Sequence, residues 1–536
     1  MKISNLFIVA LMALCSVPQL SAQSTSDATT KRKINAAVMG VYNDQLSEHP
    51  DDYSTQFARA NQYYFNGDYT SALSDVNNVI EVTPAKEKEL RFDAYMLRAK
   101  IFDQSNNLDA ELADLKSASE ISPSSLSCID MMGKLSYKMG DYEAAEKNFQ
   151  TIMRENPRNY DALYWLGKVE AKRKNYERAA NYVDKAVELF PAESQVYVNR
   201  ADVLKMIGEG KSAAKNYIYA LSGSDSRLAI NEIFDMANTN YTEVYAALGE
   251  AIDKAPQSAT YYRIRAALAI KHLHYGQALK DLQPIINNKL LESDGVLYDA
   301  ATCQFHLNMM SDALSSVNQA IAKNASEPDY YILKARILAH MEGGDKPAQA
   351  LQALNQATAI NATYVPAYIA RARVLLAQRN NDEALTALNQ AIMTDAVNSE
   401  ALLLRGWVNK YRLRNADAAT SDFQKVLLNG ADIKSLRGFA LHELGRDDEA
   451  RQWATTVISD NTLTGGESYY YAAALLSDIG DNNAAYSYLE SALANGYGSL
   501  FEVSVSEEPY VNLKLVRRHP QFQNLVDQHA DNFKVK

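Results

Sequence analysis

Several short stretches of the sequence contain residues that could bind a metal ion. His442 and Glu443 begin like a zinc-protease helix, in which two histidines four residues apart bind Zn²⁺ and the intervening glutamate acts as a base. Arg446 stands where the second histidine would be, so this motif is incomplete. His272 and His274 are two residues apart, and side chains at that spacing point in different directions on a helix. We therefore predict no metal site at either place.

One acidic stretch resembles part of a calcium-binding loop. Asp481, Asn482 and Asn483 begin like a calcium-binding loop, but Ala485 occupies a ligand position and no terminal glutamate follows. The sequence contains neither a phosphate-binding glycine loop nor a nucleophile elbow. We predict no catalytic residue, no metal and no cofactor, and we expect that the protein is not an enzyme.

Arginine and aspartate recur together at a nearly constant spacing. The spacing is 16 residues for Arg59–Asp75, Arg98–Asp114 and Arg265–Asp281, and 17 residues for Arg405–Asp422. A row of arginines could bind an anionic ligand. However, the units with Met132 or Leu166 in place of the arginine also lack the aspartate. We therefore interpret these residues as structural ion pairs within each unit.

The elements that carry these residues follow a repeat. Pro123, Pro157 and Pro191 are 34 residues apart, and columns of small and large residues keep the same period. The small columns include Gly133, Gly167 and Ala201, and also Ala145, Ala179 and Ala213. A period of this length predicts one helix–turn–helix unit per repeat, about thirteen of them between Tyr53 and Asn495.

The repeat resembles the tetratricopeptide repeat. The unit from Tyr160 to Glu193 has a large residue at its fourth position, Leu163, and small residues at its eighth and twentieth, Gly167 and Ala179. Pro191 stands at its thirty-second position. The resemblance implies an all-α fold, a right-handed superhelical solenoid of antiparallel helix pairs. It also implies that the first helices line a concave groove through their second, fifth, ninth and twelfth positions.

We predict that basic, aromatic and amide side chains in this groove bind a partner protein or peptide. The candidates are Lys100, Lys134, Tyr137, Tyr164, Lys168, Lys205, Arg336, Arg373, Asn409 and Lys410. Lys134, Lys168 and Lys205 are similar to the basic part of the clamp with which some family members hold a peptide's terminal carboxylate. The asparagine pattern of that clamp is missing here. The alternative is that these side chains are solvated surface charges.

Composition limits the class of partner. The chain has 536 residues, of which 47% are hydrophobic and 22% charged, and its formal net charge is −11. Because attraction to phosphate supplies most non-specific affinity for nucleic acid, we expect no nucleic-acid partner. Cys128 and Cys303 lie about five repeats apart, and each repeat of a solenoid touches only its neighbours. We expect both to be free and buried.

Residues 1–22 match a signal peptide. Lys2 precedes an apolar run from Leu6 to Val17, and Ala22 is a small residue at a plausible cleavage point. The run is shorter than the roughly 20 apolar residues that span a bilayer. The alternatives are an uncleaved anchor and, through Cys15, a lipoprotein. We expect an exported protein that is not integral to the membrane and is periplasmic, outer-membrane-associated or secreted.

The periodicity divides the rest of the chain. The predicted parts are a flexible segment and leading helix over 23–50, a first repeat array over 51–222, a divergent repeat over 223–258, a second array over 259–495 and a capping segment over 496–536. The segment Ser24–Lys33 is expected to be flexible and Ile34–Leu46 to be the leading helix. In the divergent repeat, Asn231, Glu232 and Asp235 fall where small or apolar residues are expected. In the capping segment, Phe522 and Leu525 are expected to pack onto the last groove.

The sequence favours a non-catalytic scaffold or adaptor that binds a partner in the groove, in an envelope or secretion assembly. One alternative is a carbohydrate- or cell-wall-associated binding module. Another is an accessory subunit of a separate enzyme. Whether the groove is occupied by the chain's own tail is a question that the sequence leaves open.

Overall fold

The structure is a computed structural model that describes most of the chain. It describes residues 21–84, 86–222, 226–428, 436–458, 466–506, 509–511 and 513–535. The regular structure in those ranges is helical, without a strand. The chain forms two compact units, here called the N-terminal unit (Gln19–Ala251) and the C-terminal unit (Ile252–Lys536).

The N-terminal unit begins with one long helix, which is followed by helix pairs. Its helices are α1 (Ser21–Glu48), α2 (Tyr53–Phe65), α3 (Tyr69–Val82), α4 (Lys88–Gln104), α5 (Leu108–Ile121), α6 (Leu126–Lys138), α7 (Tyr142–Glu155), α8 (Tyr160–Lys172), α9 (Tyr176–Leu189), α10 (Ser194–Met206), α11 (Gly210–Ala220) and α12 (Arg227–Lys254). Helix α1 covers Ser24–Lys33 as well as Ile34–Leu46, so it is longer than the leading helix that the sequence predicts, and the flexibility of Ser24–Lys33 stays a prediction. No proline or glycine interrupts that stretch, and the helix can therefore extend through it.

The C-terminal unit continues the pairs and ends in short helices. Its helices are α13 (Ala259–Lys271), α14 (Tyr275–Asn287), α15 (Asp294–His306), α16 (Met310–Lys323), α17 (Pro328–Ala339), α18 (Lys346–Ile360), α19 (Val365–Ala377), α20 (Asn381–Thr394), α21 (Ser399–Tyr411), α22 (Ala416–Leu428), α23 (Arg437–Glu443), α24 (Asp447–Val457), α25 (Glu467–Ile479), α26 (Asn482–Ala494), α27 (Leu500–Ser504) and α28 (Phe522–Gln528). The predicted all-α fold of antiparallel helix pairs is confirmed.

Small residues let the two helices of a pair approach closely. A Cβ atom added to Gly133 of α6 would lie 2.8 Å from the Phe149 ring of α7, and one added to Gly167 of α8 would lie 3.1 Å from Val183 Cγ1 of α9. Large side chains on the second helix thus fill the space that glycine leaves on the first. Gly140, in the turn between α6 and α7, has φ +80°, a left-handed conformation that glycine adopts without steric cost.

Many of these helices begin at an aspartate or asparagine that caps them. The side chain of Asp141 accepts a hydrogen bond from the Ala144 backbone N–H, and that of Asn159 accepts one from Ala162. Such caps satisfy backbone donors that the first turn leaves without partners. Together with the prolines after the second helices, they set the helix ends at the repeat period.

The divergent repeat is a helix pair without a proper turn. Helix α12 is interrupted only at Asn240, whose φ of −135° and ψ of 50° are non-helical, so it consists of two helices joined at one residue. Ala229, Ile233 and Ala237 form the buried stripe of the first half. Asn231, Glu232 and Asp235 lie outside that stripe. The buried positions of α12 are therefore offset from those that the repeat pattern predicts for this segment.

First helices form the inner layer of the stack. In both units the first helix of a pair contacts the first helix of the next pair, as α8 and α10 do, and α17 and α19. The surface of this layer that faces away from the second helices is here called the inner face. It carries most of the predicted partner-binding residues.

Two further predictions concern burial and membranes. Cys128 and Cys303 are free and buried, as predicted. Among the helices of the described ranges, none combines the length and the hydropathy needed to cross a bilayer. The predicted signal peptide, apart from its last two residues, lies outside the described residues.

Candidate functional site

Five residues on three successive first helices of the N-terminal unit form an aromatic and charged cluster, in which Trp165 also stacks on Phe149 of the second helix α7 with ring centroids 5.8 Å apart. Tyr137 comes from α6, Tyr164, Trp165 and Lys168 come from α8, and Asp202 comes from α10; together they are here called the front cluster. The ring centroids of Tyr137 and Trp165 are 5.3 Å apart, and those of Tyr164 and Trp165 are 5.5 Å apart. Helix-to-helix spacing thus brings together residues that are up to 65 positions apart in the sequence.

Lys168 lies at the centre of the front cluster. Its Nζ atom is 4.9 Å from the centroid of the Trp165 ring and 5.6 Å from that of Tyr137. It donates a hydrogen bond of 3.1 Å to the Tyr164 hydroxyl and lies 3.3 Å from an Asp202 carboxylate oxygen. A cation held over aromatic rings and beside a carboxylate is well oriented, so the cluster presents a defined shape.

The tyrosines of the front cluster stay protonated at physiological pH. Burial raises the pKa of Tyr164, and its 2.6 Å hydrogen bond to Asp202 raises it further. Burial also raises the pKa of Tyr137 to about 12. Both hydroxyl groups therefore act as hydrogen-bonding groups and not as bases.

The other candidate lysines of the N-terminal unit lie beside carboxylates or on the open surface. Lys134 Nζ lies 2.6 Å from Asp130 and 5.8 Å from the centroid of the Trp165 ring. Lys205 forms an ion pair with Glu232 of α12. Lys100 is exposed on α4. The inner face of this unit therefore has mixed charge, and is not the purely basic surface that the lysines alone suggest.

Two candidates of the C-terminal unit lie on its first helices and contact neighbouring elements. The Arg336 guanidinium lies 4.6 Å from the centroid of the Phe305 ring. Arg373 forms a 2.8 Å ion pair with Glu400 of the next first helix. Both side chains are half-buried.

The last two candidates differ in their surroundings: Asn409 is buried, and Lys410 joins two helices. Lys410 Nζ donates to the Glu443 carboxylate at 2.9 Å and to the Glu443 backbone oxygen at 2.7 Å, which joins α21 to α23. Their positions next to the inner face made them candidates, but the direction of each side chain follows from packing that the spacing does not specify.

The arginine–aspartate pairs are confirmed as contacts between the two helices of a repeat. Arg98 binds Asp114 through two hydrogen bonds, of 2.8 and 2.6 Å. The pairs Arg59–Asp75, Arg265–Asp281 and Arg405–Asp422 have the same two-bond geometry. Each of these arginines binds an aspartate of its own repeat, which argues against the anion-binding alternative.

The histidines singled out for metal chemistry have other partners. His442 Nδ1 lies 2.8 Å from Asp447. Within the described residues, no group of three or more histidine, cysteine, aspartate or glutamate side chains is arranged to hold a metal ion.

Comparison with known sequence families agrees with the helix pairs. Two family models, both described as Tetratricopeptide repeat, match the chain, one at residues 57–125 and 131–194 and the other at residues 343–408. These ranges contain the helix pairs, small columns and prolines described above. The chain is a tetratricopeptide repeat protein. Arrays of this repeat are generally scaffolds for protein interactions and not catalysts.

Relatives of this tetratricopeptide repeat protein are distant. Human tetratricopeptide repeat protein 13 is 24% identical over 197 residues, which are 36% of this chain and 19% of the relative, so the chain spans about a fifth of that protein's length. Among solved structures, a tetratricopeptide repeat protein from Parabacteroides merdae is 17% identical, with a TM-score of 0.28, over 53% of this chain and 98% of its own. Yeast Tom70 is 16% identical, with a TM-score of 0.34, over 77% of this chain and 98% of its own.

Sequence reasoning missed two members of the front cluster. Trp165 occupies the sixth position of its repeat, which is outside the positions assigned to the groove, although it is one of only three tryptophans in the chain. Asp202 occupies the ninth position, where the preceding repeats have lysine. The change from lysine to aspartate in that column was the available signal, since it places opposite charges on successive helices.

Proposed function

We propose that this tetratricopeptide repeat protein is a non-catalytic scaffold that binds a segment of a partner protein along the inner face of its N-terminal unit. The observation that supports this most directly is the front cluster. Aromatic residues and lysines lie on successive first helices there, and their side chains are half-buried. Rigid aromatic side chains supply contact area at low cost in conformational entropy, which suits them to partner recognition.

The mixed charge of this face favours a particular kind of segment. Lys100 and Lys134 offer donors to carboxylates, and Asp202 and Glu232 offer acceptors to basic side chains. An extended or helical segment with both signs of charge and an aromatic or apolar residue would match this pattern over several repeats. Its affinity would be the sum of weak contacts along the face.

We also propose that the protein acts in the cell envelope of a bacterium, in an envelope or secretion assembly. The support is the signal-peptide pattern of residues 1–22, in which an apolar run follows Lys2. The alternative roles are binding of cell-wall polysaccharide, to which the rings of the front cluster could also stack, and service as a subunit of a separate enzyme.

The test is an affinity purification from the native envelope with two matched variants of the full chain. The groove variant replaces Lys100, Lys134 and Lys168 by Glu. The control variant makes the same charge change at three exposed lysines of second helices, Lys116, Lys147 and Lys185. Circular dichroism and thermal unfolding establish that both variants are folded.

We expect the wild type and the control variant to retain a protein partner that the groove variant loses. Equal recovery by all three would show that these lysines are solvated surface charges and would contradict the proposed site. Retention on polysaccharide without any protein partner would replace the scaffold by the cell-wall alternative.

A further inference from the structure

The end of the C-terminal unit packs against the beginning of that same unit. Helix α27 contacts α15, and residues Ala530–Phe533 contact α14. Asn532 Nδ2 donates to the Leu493 backbone oxygen at 2.7 Å, so the same terminal segment is also attached to α26. Seven helix pairs, α13 to α26, therefore form a ring that the segment after α26 closes.

Phe501 of α27 fills a pocket at this closure. Its ring centroid lies 4.5 Å from that of Phe305 and 4.7 Å from that of His340, and the side chain is 2% exposed. Arg336 lies over the Phe305 ring beside the pocket. Phe501 belongs to a buried apolar cluster that also contains Leu297, Phe305, Tyr330, Leu333 and Ile337.

The walls of the pocket belong to α15, α17 and the residue that follows α17. Each of these helices is also packed into its own helix pair, α15 with α16 and α17 with α18. The helices that carry the pocket walls therefore have packing partners besides the segment that fills the pocket. A helix as short as α27, with five residues, has little stability of its own.

Polar contacts position the segment around Phe501. Ser499 Oγ and His306 Nδ1 are 2.9 Å apart, and the His306 ring is stacked on Tyr275 at 4.1 Å. Tyr497 bonds to Glu502 and stacks on Tyr470 at 4.5 Å. Burial raises the pKa of Tyr275, so its hydroxyl stays protonated.

A glycine in this segment permits the close approach. A Cβ atom on Gly498 would lie 2.2 Å from the Leu273 backbone oxygen, which is too short for any contact. The backbone of the segment therefore lies in direct contact with the turn between α13 and α14.

We propose that residues 496–506, here called the clasp, occupy a peptide-binding pocket of the C-terminal unit in cis, and that a partner segment with an aromatic residue competes for it. Phe501 is the aromatic residue that the clasp places in this pocket. The apolar and aromatic side chains around it select an aromatic ring. This pocket lies in the other unit, so the inference does not depend on the function proposed for the front cluster.

The test measures binding of a fluorescein-labelled peptide with the sequence of residues 496–506 to the full chain. Phe501→Ala removes the side chain that fills the pocket. Gly498→Ala makes the backbone of the clasp clash with Leu273 while it leaves the pocket intact. Gly210→Ala is the control, because a Cβ atom there meets nothing within 4 Å.

We expect fluorescence anisotropy to show at least ten-fold tighter binding of the peptide to the Phe501→Ala and Gly498→Ala variants than to the wild type or the control. The same peptide with alanine in place of Phe501 should not bind. Absence of peptide binding to both clasp variants would overturn the proposal. Loss of the cooperative unfolding transition in both variants would also overturn it, because the clasp would then be an obligatory part of the core.

Discussion

The arginines of the first helices join two repeats at once. Arg98 holds Asp114 of its own repeat with two hydrogen bonds and also donates at 2.8 Å to Asn77 of the preceding repeat. Arg405 makes the same second contact with Asn389, also at 2.8 Å. One guanidinium therefore fixes both the register within a helix pair and the stacking of that pair on its neighbour, which a lysine could not do because it lacks the planar fork of donors.

Asp114→Ala should destabilise the N-terminal unit by about 2 kcal/mol. The change removes a carboxylate that is only 4% exposed, and it leaves the partly buried Arg98 guanidinium without its bidentate partner. Arg98 keeps its contact with Asn77, so the loss should lie below the largest values known for broken buried pairs. Urea denaturation would measure the free energy of unfolding.

The control for this change is Glu449→Ala. It breaks a pair of exposed side chains, Arg446 and Glu449, within one turn of a helix. Exposed pairs contribute little, so this variant should unfold like the wild type. An equal loss of stability in both variants would show that the arginine–aspartate pairs are no more than surface charges.

Complementary small and large residues determine how the two helices of a pair meet. Gly133 faces Phe149, Gly406 faces Phe423 and, with a smaller partner, Gly167 faces Val183. The size of the second-helix residue thus varies with the space that the first helix leaves. Because a packed interior tolerates little change of volume, the sizes of the two facing residues depend on each other.

Gly133→Ala should lower the stability of the N-terminal unit by roughly 1–2 kcal/mol, even though alanine is the better helix former. The added Cβ atom would lie 2.8 Å from the Phe149 ring, which is fully buried and cannot move freely. Gly40→Ala in α1 is the matched change, because a Cβ atom there meets nothing within 4 Å. We expect thermal unfolding to show a lower midpoint for the first variant and an unchanged or higher one for the second. A rise in both would mean that the helices of the pair can separate at little cost.

Closure distinguishes the C-terminal unit from an open stack. In an open array each repeat touches only its neighbours, and the ends fray independently. Here Ser499, which follows the last pair, contacts His306 of α15, 193 residues earlier in the chain.

Phe522 and Leu525 of α28 lie in the same core as Ala485 and Leu489 of α26. Their burial at the end of the stack fits the predicted capping role, which stays a prediction.

The closed unit should lose stability as the pH falls from about 6.5 towards 4. Three histidines lie where its beginning meets its end, and burial lowers the pKa of His272 and His274 to about 4 and that of His306 to about 3. At these three histidines the unfolded chain, with pKa values near 6.5, binds more protons than the folded chain in this window, so their titration favours unfolding on acidification. Burial raises the pKa of Asp299 to about 7 and that of Asp478 to about 6, and these two carboxyl groups oppose part of the effect. Each histidine can contribute at most roughly 1.4 kcal/mol per pH unit.

Chemical denaturation at several pH values would measure this dependence, with hydrogen exchange of α13 to α15 as the local probe. His306→Gln should reduce the slope, since glutamine does not titrate. A slope that stays the same in this variant would place the titrating groups elsewhere.

The sequence by itself determined the features whose contacts lie within one repeat or between neighbours. The period of 34 residues, the small columns and the spacing of 16 residues between Arg98 and Asp114 all reflect distances across one helix pair. Such short-range geometry is the same in every repeat, so spacing alone predicts helix pairs and their ion pairs. It also led to Tyr137, Tyr164 and Lys168, because their positions in the repeat face inwards.

Only the tertiary structure decided which of those inward residues meet and which residues the end of the C-terminal unit contacts. Trp165 and Asp202 join the front cluster through the rotation of one helix against the next, which no residue spacing records. The contact between Phe501 and Phe305 depends on the rotation summed over the helix pairs that lie between them. A small difference in each rotation would separate these two side chains. Lys410 was directed to Glu443 by the packing of α21 on α23. These contacts follow from angles between rigid helices, and sequence periodicity specifies the order of the helices but not those angles.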